Sequence, residues 1–317
     1  MKKEIKINGK TIQPGQNKMV HLNVARLPSG TVINIRVHVF RAKNPGPTVL
    51  VLGGVHGDEI NGVEIVRRSV SQKLFYNLTS GTVIAIPLLN VYGFINFSRD
   101  ASDGKDVNRS FPGNMKGSLA SRVAATLTKK VLPLIDQVVD FHTGGSARYN
   151  YPQIRYTAND EKAAELARVF AAPYLIKKAN IPNTLRKIAS GMKIPTIVYE
   201  GGESLRFDGF SITRGILGLK RVLHFNGMID KAPESVSQSI LFNKTSWVRA
   251  DKSGIFEWSQ QSGAKVVVGE PLGAIRDPYG EFEVIIKATK AGYIIGHNNA
   301  PVVSQGDALF HIGYETD

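Results

Sequence analysis

Pro45-Gly46-Pro47-Thr48-Val49-Leu50-Val51-Leu52-Gly53-Gly54-Val55-His56-Gly57-Asp58-Glu59 is the stretch from which the fold class can be read. Its run Thr48–Gly53 is apolar without alternation, the pattern of a strand covered on both faces. A loop carrying His56 and Glu59 follows, and then Val63–Leu74 takes up a helical pattern. The glycines at 53, 54 and 57 let the backbone bend tightly between strand and helix.

Downstream the same alternation repeats. Thr82–Leu89 reads as a second buried strand, and a long polar loop runs from Asn96 to Gly117 before a helical stretch from Leu119 to Leu134. The strand Gln137–Phe141 ends at His142, Glu161–Ala171 is a helix, and the short β-branched strand Thr196–Tyr199 ends at Glu200. Ser211–Leu223 sets Ile212, Ile216, Leu219 and Val222 near helical spacing. This order predicts an α/β domain with a central sheet flanked by helices. Upstream, Val20–Val24 and Val32–Val39 alternate as half-buried strands, with Pro28-Ser29-Gly30 as the turn of a hairpin on the sheet edge. After a break at Ile229-Asp230-Lys231-Ala232-Pro233 the texture becomes all-β: short runs at Ser246–Ala250, Lys265–Val268, Phe282–Lys287 and Tyr293–Gly296, separated by glycine turns. The expected organisation is a hydrolase domain over residues 1–235, with 1–44 as its hairpin region, and a small β-barrel or sandwich over 236–317.

Composition narrows the chemistry. The 317 residues are 42% hydrophobic and 21% charged, which supports a sizeable core. Cysteine is absent, so disulfides, thiolate metal sites and cysteine nucleophiles are excluded, and any metal must be held by His and carboxylate. The formal charge of +14 is spread over dispersed residues and simple pairs such as Arg67-Arg68 and Lys129-Lys130. With no basic tail, zinc knuckle or RNP-like pattern, nucleic acid is not the expected partner; a solvated basic surface that attracts small anions is. No apolar stretch follows the basic N-terminal residues and no apolar run is long enough to span a bilayer, so a soluble cytoplasmic protein without a membrane partner is expected.

Three polar residues stand at strand ends, where open α/β sheets place their sites. His56 and Glu59 form an H-x-x-E pair beyond the first strand, and His142 ends another. Two histidines and one carboxylate are a standard ligand set for a catalytic zinc, which keeps one position open, acidifies a bound water and polarises a carbonyl. Such a pattern also arises among ordinary loop polars. Glu200 could serve as general base and then protonate a leaving amine, or could equally be a helix cap or surface acid. In the long loop, Arg109 could pair with a substrate carboxylate and Arg99 could stabilise an oxyanion, unless both only brace the loop. Asp140, two residues before His142 on one strand, faces the same side and could orient a ligand histidine or a nearby arginine. His21, His38, His224, His297 and His311 have no partner pattern and read as strand, helix or surface residues.

Together these segments resemble the succinylglutamate desuccinylase/aspartoacylase family, relatives of the zinc carboxypeptidases. The matching pieces are Gly53–Glu59, Arg99 with Asp106-Val107-Asn108-Arg109-Ser110-Phe111-Pro112-Gly113, Asp140-Phe141-His142-Thr143-Gly144 and Tyr199-Glu200-Gly201-Gly202, in register over residues 45–225. The resemblance implies one zinc per chain on His56, Glu59 and His142, Glu200 as general base and acid, Arg99 at the scissile carbonyl, and Asn108 with Arg109 on a substrate carboxylate. It also implies an eight-stranded mixed sheet. Arg99 and Asn108 stand further apart here than in the aspartoacylase pattern, and the tyrosine that aspartoacylase-like members add from outside these motifs has no counterpart that can be placed. The C-terminal part resembles a biotinyl/lipoyl barrel, but its hairpin Arg276-Asp277-Pro278-Tyr279-Gly280 lacks the lysine that would carry a swinging arm. That domain is expected to shape the mouth of the site or an oligomer contact.

The expected activity is zinc-dependent hydrolysis of the amide bond in a small N-acylated amino acid or related acyl-amine, with a substrate carboxylate favoured by Arg109 and the basic charge. A metallocarboxypeptidase acting on peptides is the second hydrolase reading, and a non-catalytic metal-containing binding protein the alternative of another class. The acyl group, the amine and the oligomeric state, including a homo-oligomer, stay open at this level.

Overall fold

The computed structural model describes residues 4–26, 29–235 and 238–314. Thr48–Gly53 is buried along its whole length because it lies between two parallel neighbours, Thr82–Ile86 and Gln137–Gly144, with Leu50 level with both Ile84 and Val138. Side chains alternate across a strand, so the run fills two cores at once. Leu50, Leu52, Ile84, Ile86 and Val138 point to one face, where Val123 and Leu127 of helix Leu119–Lys130 cover them. Val49, Val51, Val83, Ala85 and Val139 point to the other, against Ile65 and Val66 of helix Ile60–Ser71 and Leu219 of helix Gly209–Phe225. Two covered faces explain why these strands are apolar at every position.

The main sheet is mixed. From one end its strands run Lys244–Arg249, Ala308–Tyr314, Gly292–Asn298, Arg148–Thr157, Thr196–Glu203, Gln137–Gly144, Thr48–Gly53, Thr82–Ile86, Val32–Arg41 and Asn17–Arg26. Thr196–Glu203, Gln137–Gly144, Thr48–Gly53 and Thr82–Ile86 are mutually parallel, and both flanks turn antiparallel. The two N-terminal strands pair antiparallel at the far end, with Val20 opposite Val37. Of their expected turn, Ser29 and Gly30 bend as anticipated, whereas Pro28 lies outside the described residues. With the branch strands Lys265–Val266, Tyr174–Lys178 and Ile240–Phe242 the described sheet has thirteen strands rather than eight. The surplus comes from the C-terminal region: Gly292–Asn298 adds directly to the edge of Arg148–Thr157, with Gly296 opposite Asn150. The rest of that region is a four-stranded antiparallel sheet, Glu283–Lys287, Pro271–Arg276, Gly254–Trp258 and Val302–Val303, with its own core around Phe256, Leu272, Ile275, Ile294 and Phe310.

Several element ends differ from the sequence-based expectation for identifiable reasons. The first helix begins at Ile60, three residues early, because the ligand loop is short and Glu59 itself is the N-cap. The strand from Thr82 stops at Ile86 before Pro87, and the helix from Leu119 stops at Lys130 before a 3₁₀ turn holding Pro133. The helix from Glu161 ends at Phe170, one residue before Ala171, which takes a left-handed conformation at the C-cap. Among the described residues no helix is long and apolar enough to cross a membrane.

Candidate active site

The loop after Thr48–Gly53 is held against helix Val91–Ile95, and Gly57 is where the two backbones meet: a Cβ there would lie 1.9 Å from the carbonyl carbon of Gly93. That contact admits no side chain at 57, and it carries His56 and Glu59 into the floor of the cleft. His142 comes from the neighbouring parallel strand, and Glu200 sits level with it on the next. One strand end and two strands that run on to Gly144 and Glu203, beyond the ends expected at His142 and Glu200, therefore deliver four polar groups to one edge of the sheet.

His56, Glu59 and His142 are buried, and each offers a ligand atom within 4.8 Å of the others. Nε2 of His142 faces Asp140 Oδ2 at 2.9 Å, and Nε2 of His56 faces Asp106 Oδ1 at 3.2 Å. Carboxylates accept only, so each ring carries its proton on Nε2 and, when neutral, turns a lone pair inward from Nδ1. Those two Nδ1 atoms lie 3.2 Å apart, at 2.7 and 2.8 Å from the two oxygens of Glu59. Three acceptors converging on one point suit a cation between them, and Arg99 Nη1 already lies 3.2 Å from His56 Nδ1 and from Glu59 Oε1. The donor set and its carboxylate-backed imidazoles fit a divalent metal, and the group could hold one ion.

The electrostatics agree. Burial is the largest influence on all three groups and opposes charge on each, yet it is overridden. Glu59 and Asp106 raise His56 above the ordinary histidine range, Asp140 and Glu59 raise His142 well above it, and the two imidazoles hold the Glu59 carboxyl well below its usual range.

The long loop supplies the second wall. Asp106 accepts from Arg99 at Nε (3.1 Å) and Nη2 (2.9 Å), reaches His56, and caps the turn Val107–Arg109 by accepting from Asn108 N at 2.6 Å. Burial would raise its pKa, but His56 and Arg99 outweigh that and hold the carboxyl well below the carboxylate range. Arg99 extends Nη1 to within 3.2 Å of Glu59 Oε1, so it stands beside the ligand group despite its wider spacing from Asn108. Asn108 accepts from the backbone N–H of Leu185 at 3.0 Å, and Arg109 donates to the Asn108 carbonyl at 2.8 Å. Both line the same cavity, of about 360 Å³, as the ligand group and Glu200.

Among the cavity residues that the sequence-based reading left out, four bear on its chemistry. Asn150 donates to Glu200 Oε2 and Arg155 Nη1 to Glu200 Oε1, each at 2.9 Å. Both belong to Arg148–Thr157, a strand interrupted by Pro152, which weakened its signal. Arg186, buried in helix Leu185–Gly191, donates to the Ala179 carbonyl at 2.9 Å, and its Nη1 has no partner among the described residues. Burial and then the nearby Arg155 lower its pKa to about 10. Trp247 arrives from the C-terminal region, its ring stacked on His311 at 4.4 Å. No tyrosine is among the cavity's described lining residues; Trp247 is its aromatic wall. Only the strand propensity of Arg148–Thr157 could have signalled any of these from sequence. Asp140 contacts a histidine, as its spacing allowed. His21, His38, His297 and His311 lie on strands and His224 in a helix.

Comparison with known proteins places these features in context. The catalytic-domain profile described as succinylglutamate desuccinylase/aspartoacylase matches residues 45–226. The N-alpha-acetyl-L-2,4-diaminobutyric acid deacetylase of Halomonas elongata is 25% identical over 284 residues, which are 84% of this chain and 82% of that protein. A succinylglutamate desuccinylase/aspartoacylase structure from Rhodobacter sphaeroides superposes with a TM-score of 0.84 at 25% identity, covering 95% of this chain and 96% of that one. The product-bound ectoine utilization protein EutE (DoeB) from Ruegeria pomeroyi has a TM-score of 0.84 at 23% identity over 95% of each chain, which shows a shared fold.

Proposed function

Because the chain belongs to the succinylglutamate desuccinylase/aspartoacylase family, we propose that it is a zinc-dependent deacylase hydrolysing the amide bond of a small N-acylated amino acid or related acyl-amine that carries a carboxylate. The observation that carries this reading is the buried His56–Glu59–His142 group sharing one cavity with Glu200. A zinc ion held there would supply the Lewis acidity that polarises the acyl carbonyl and acidifies a water.

The chain's own residues do the rest. Glu200 takes the proton of the attacking water and delivers it to the departing amine. Arg99, fixed by two bonds to Asp106, presents Nη1 to the developing oxyanion. Arg109 and Asn108 at one wall and the unpartnered Nη1 of Arg186 at another are suited to a substrate carboxylate. A cavity of about 360 Å³ walled by Trp247 favours a small acyl-amine over a peptide, against the carboxypeptidase alternative. The presence of every polar group the reaction needs speaks against a non-catalytic binding protein.

The test is primary-amine release from pooled N-acetyl and N-succinyl amino acids. Release that stops with a chelator and returns with zinc is the expected result. A zinc-loaded protein that left the whole pool intact while shortening peptides from the C-terminus would replace this reading with the carboxypeptidase one.

A further inference from the structure

Both oxygens of Glu200 are already engaged, one by Asn150 and one by Arg155. Both donors come from the strand antiparallel to the one that bears Glu200, with Gln153 opposite Glu200 and a register shift before Asn150 pairs with Gly202. A water approaching Glu200 therefore competes with Asn150 and Arg155 for the lone pairs of the carboxylate. Loosening the bond to Arg155 would free Oε1 of Glu200 for such a water.

The cavity wall holds what could do so. Among the described residues Arg155 keeps a buried Nε without a partner, and Arg186 a buried Nη1 without one. Both line the cavity, close enough to repel one another. Lys178, which lies near both guanidiniums, donates to Thr245 Oγ1 at 2.6 Å and so brings no carboxylate with it. Among the described ion pairs Glu200 is the only acid on Arg155, and Arg186 has none. The two guanidiniums on this wall are thus offset by a single carboxylate, which leaves one positive charge uncompensated among the described residues.

We propose that Arg155 is a positioning residue that holds Glu200 in the free protein and releases it when an anionic group of the substrate seats between Arg155 and Arg186, so that turnover is confined to acyl-amines whose anion reaches that corner. The inference rests on Glu200 being the general base. It adds that the substrate's charge acts on the rate of the chemical step as well as on binding.

The experiment takes an N-acylated amino acid that the protein hydrolyses and its carboxamide isosteres, made at each carboxylate in turn. It measures kcat and KM for the wild type, Arg155→Gln and Arg155→Lys. In the wild type one isostere is expected to lower kcat by about tenfold or more, the scale of a lost charged hydrogen bond. In Arg155→Gln the kcat values of acid and isostere should converge while KM for the acid rises, and Arg155→Lys should restore the difference. A substitution that lowers kcat for both alike, or one that raises KM for the acid and leaves the kcat ratio untouched, overturns the proposal. Calorimetric titration with succinate and succinamide reads the same corner without turnover. Succinate should bind the wild type at least about tenfold more tightly than Arg155→Gln, again the scale of a charged hydrogen bond, and equal affinity overturns the proposal. If no acyl-amine is hydrolysed, the deacylase reading fails, and the titration still decides whether the anion corner exists.

Discussion

Acid should loosen the joint between the C-terminal strands and the catalytic sheet, through two histidines that must be neutral to fit. His297 lies opposite Tyr149 and stacks on its ring at 5.4 Å. Its Nδ1 lies 2.7 Å from Ser262 Oγ and accepts from the backbone N–H of Ser262 at 3.2 Å, so a proton on that nitrogen would confront the backbone donor. Burial holds its pKa down to about 4, against a small opposing effect from Asn299. His311, under Trp247, is held down to about 3 by burial, Arg155 and Lys178. In the unfolded chain both protonate near 6.5. Their folded values are depressed, so the stability they contribute is present above pH 6.5 and is lost as the pH falls towards 4 and 3. Between pH 7 and pH 5 the linkage relation gives a loss of about 2 kcal/mol for each, about 4 kcal/mol together. That is a large part of the roughly 5–15 kcal/mol by which domains are stable. Urea unfolding at the two pH values, for the wild type, His297→Asn (which keeps an acceptor for Ser262) and His311→Phe (which keeps the stack on Trp247), measures it. Each variant should lose about 2 kcal/mol less than the wild type over this interval, whatever its absolute stability. Taking the difference cancels the opposite contribution of His56 and His142, whose raised values favour the folded state at low pH when metal is absent. Variants with the same pH dependence as the wild type would refute the reasoning.

Three further outcomes are expected. Glu200→Gln should retain metal at wild-type stoichiometry and lose about 10²- to 10⁴-fold in kcat, as measured by amine release beside metal analysis; unchanged turnover removes Glu200 from the base role. Asp106→Asn weakens the support of His56 and frees Arg99, so zinc affinity in a competition titration should fall about 10- to 100-fold. Trp247→Ala should widen the cavity and shift the acyl-chain profile towards longer chains, and a profile unaltered in shape would show that this wall does not bound the acyl group.

The parts of the fold legible in the sequence are those specified by neighbours along the chain. Thr48–Gly53 announces its burial because both of its faces are apolar, and His56 and Glu59 are three residues apart in one loop, so their convergence needs no long-range information. Although the strands continue to Glu203 and Gly144, the break in apolar pattern puts Glu200 and His142 near their ends. Their equal level depends on parallel registry that no local pattern encodes. Asn150, Arg155, Arg186 and Trp247 were invisible for the same reason in stronger form. Arg155 matters only because its strand pairs with the one bearing Glu200, and Pro152 obscures that strand. Trp247 reaches the cavity only because Gly292–Asn298 and Ala308–Tyr314 extend the catalytic sheet across a gap of more than a hundred residues in the chain.

That extension bears on what the C-terminal region does. If it were a lid resting on a finished site, its side chains would touch the cavity and leave the catalytic groups independent of it. Instead, the strand that supplies Asn150 and Arg155 to Glu200 is itself paired along one edge by Gly292–Asn298. Gly296 lies opposite Asn150, so close that a Cβ there would fall 2.8 Å from the Asn150 side-chain oxygen. Asn299, one residue past that strand, donates to the Glu203 carboxylate, and Glu203 lies three residues beyond Glu200. His311 stacks under Trp247 on one side and feels the charge of Arg155 on the other. The donors that hold the proposed base and the Trp247 wall of the cavity are thus set by one hydrogen-bonded sheet. A change in the C-terminal strands should therefore alter the state of Glu200 as well as access to it, which distinguishes an integral part of the site from an appended cover.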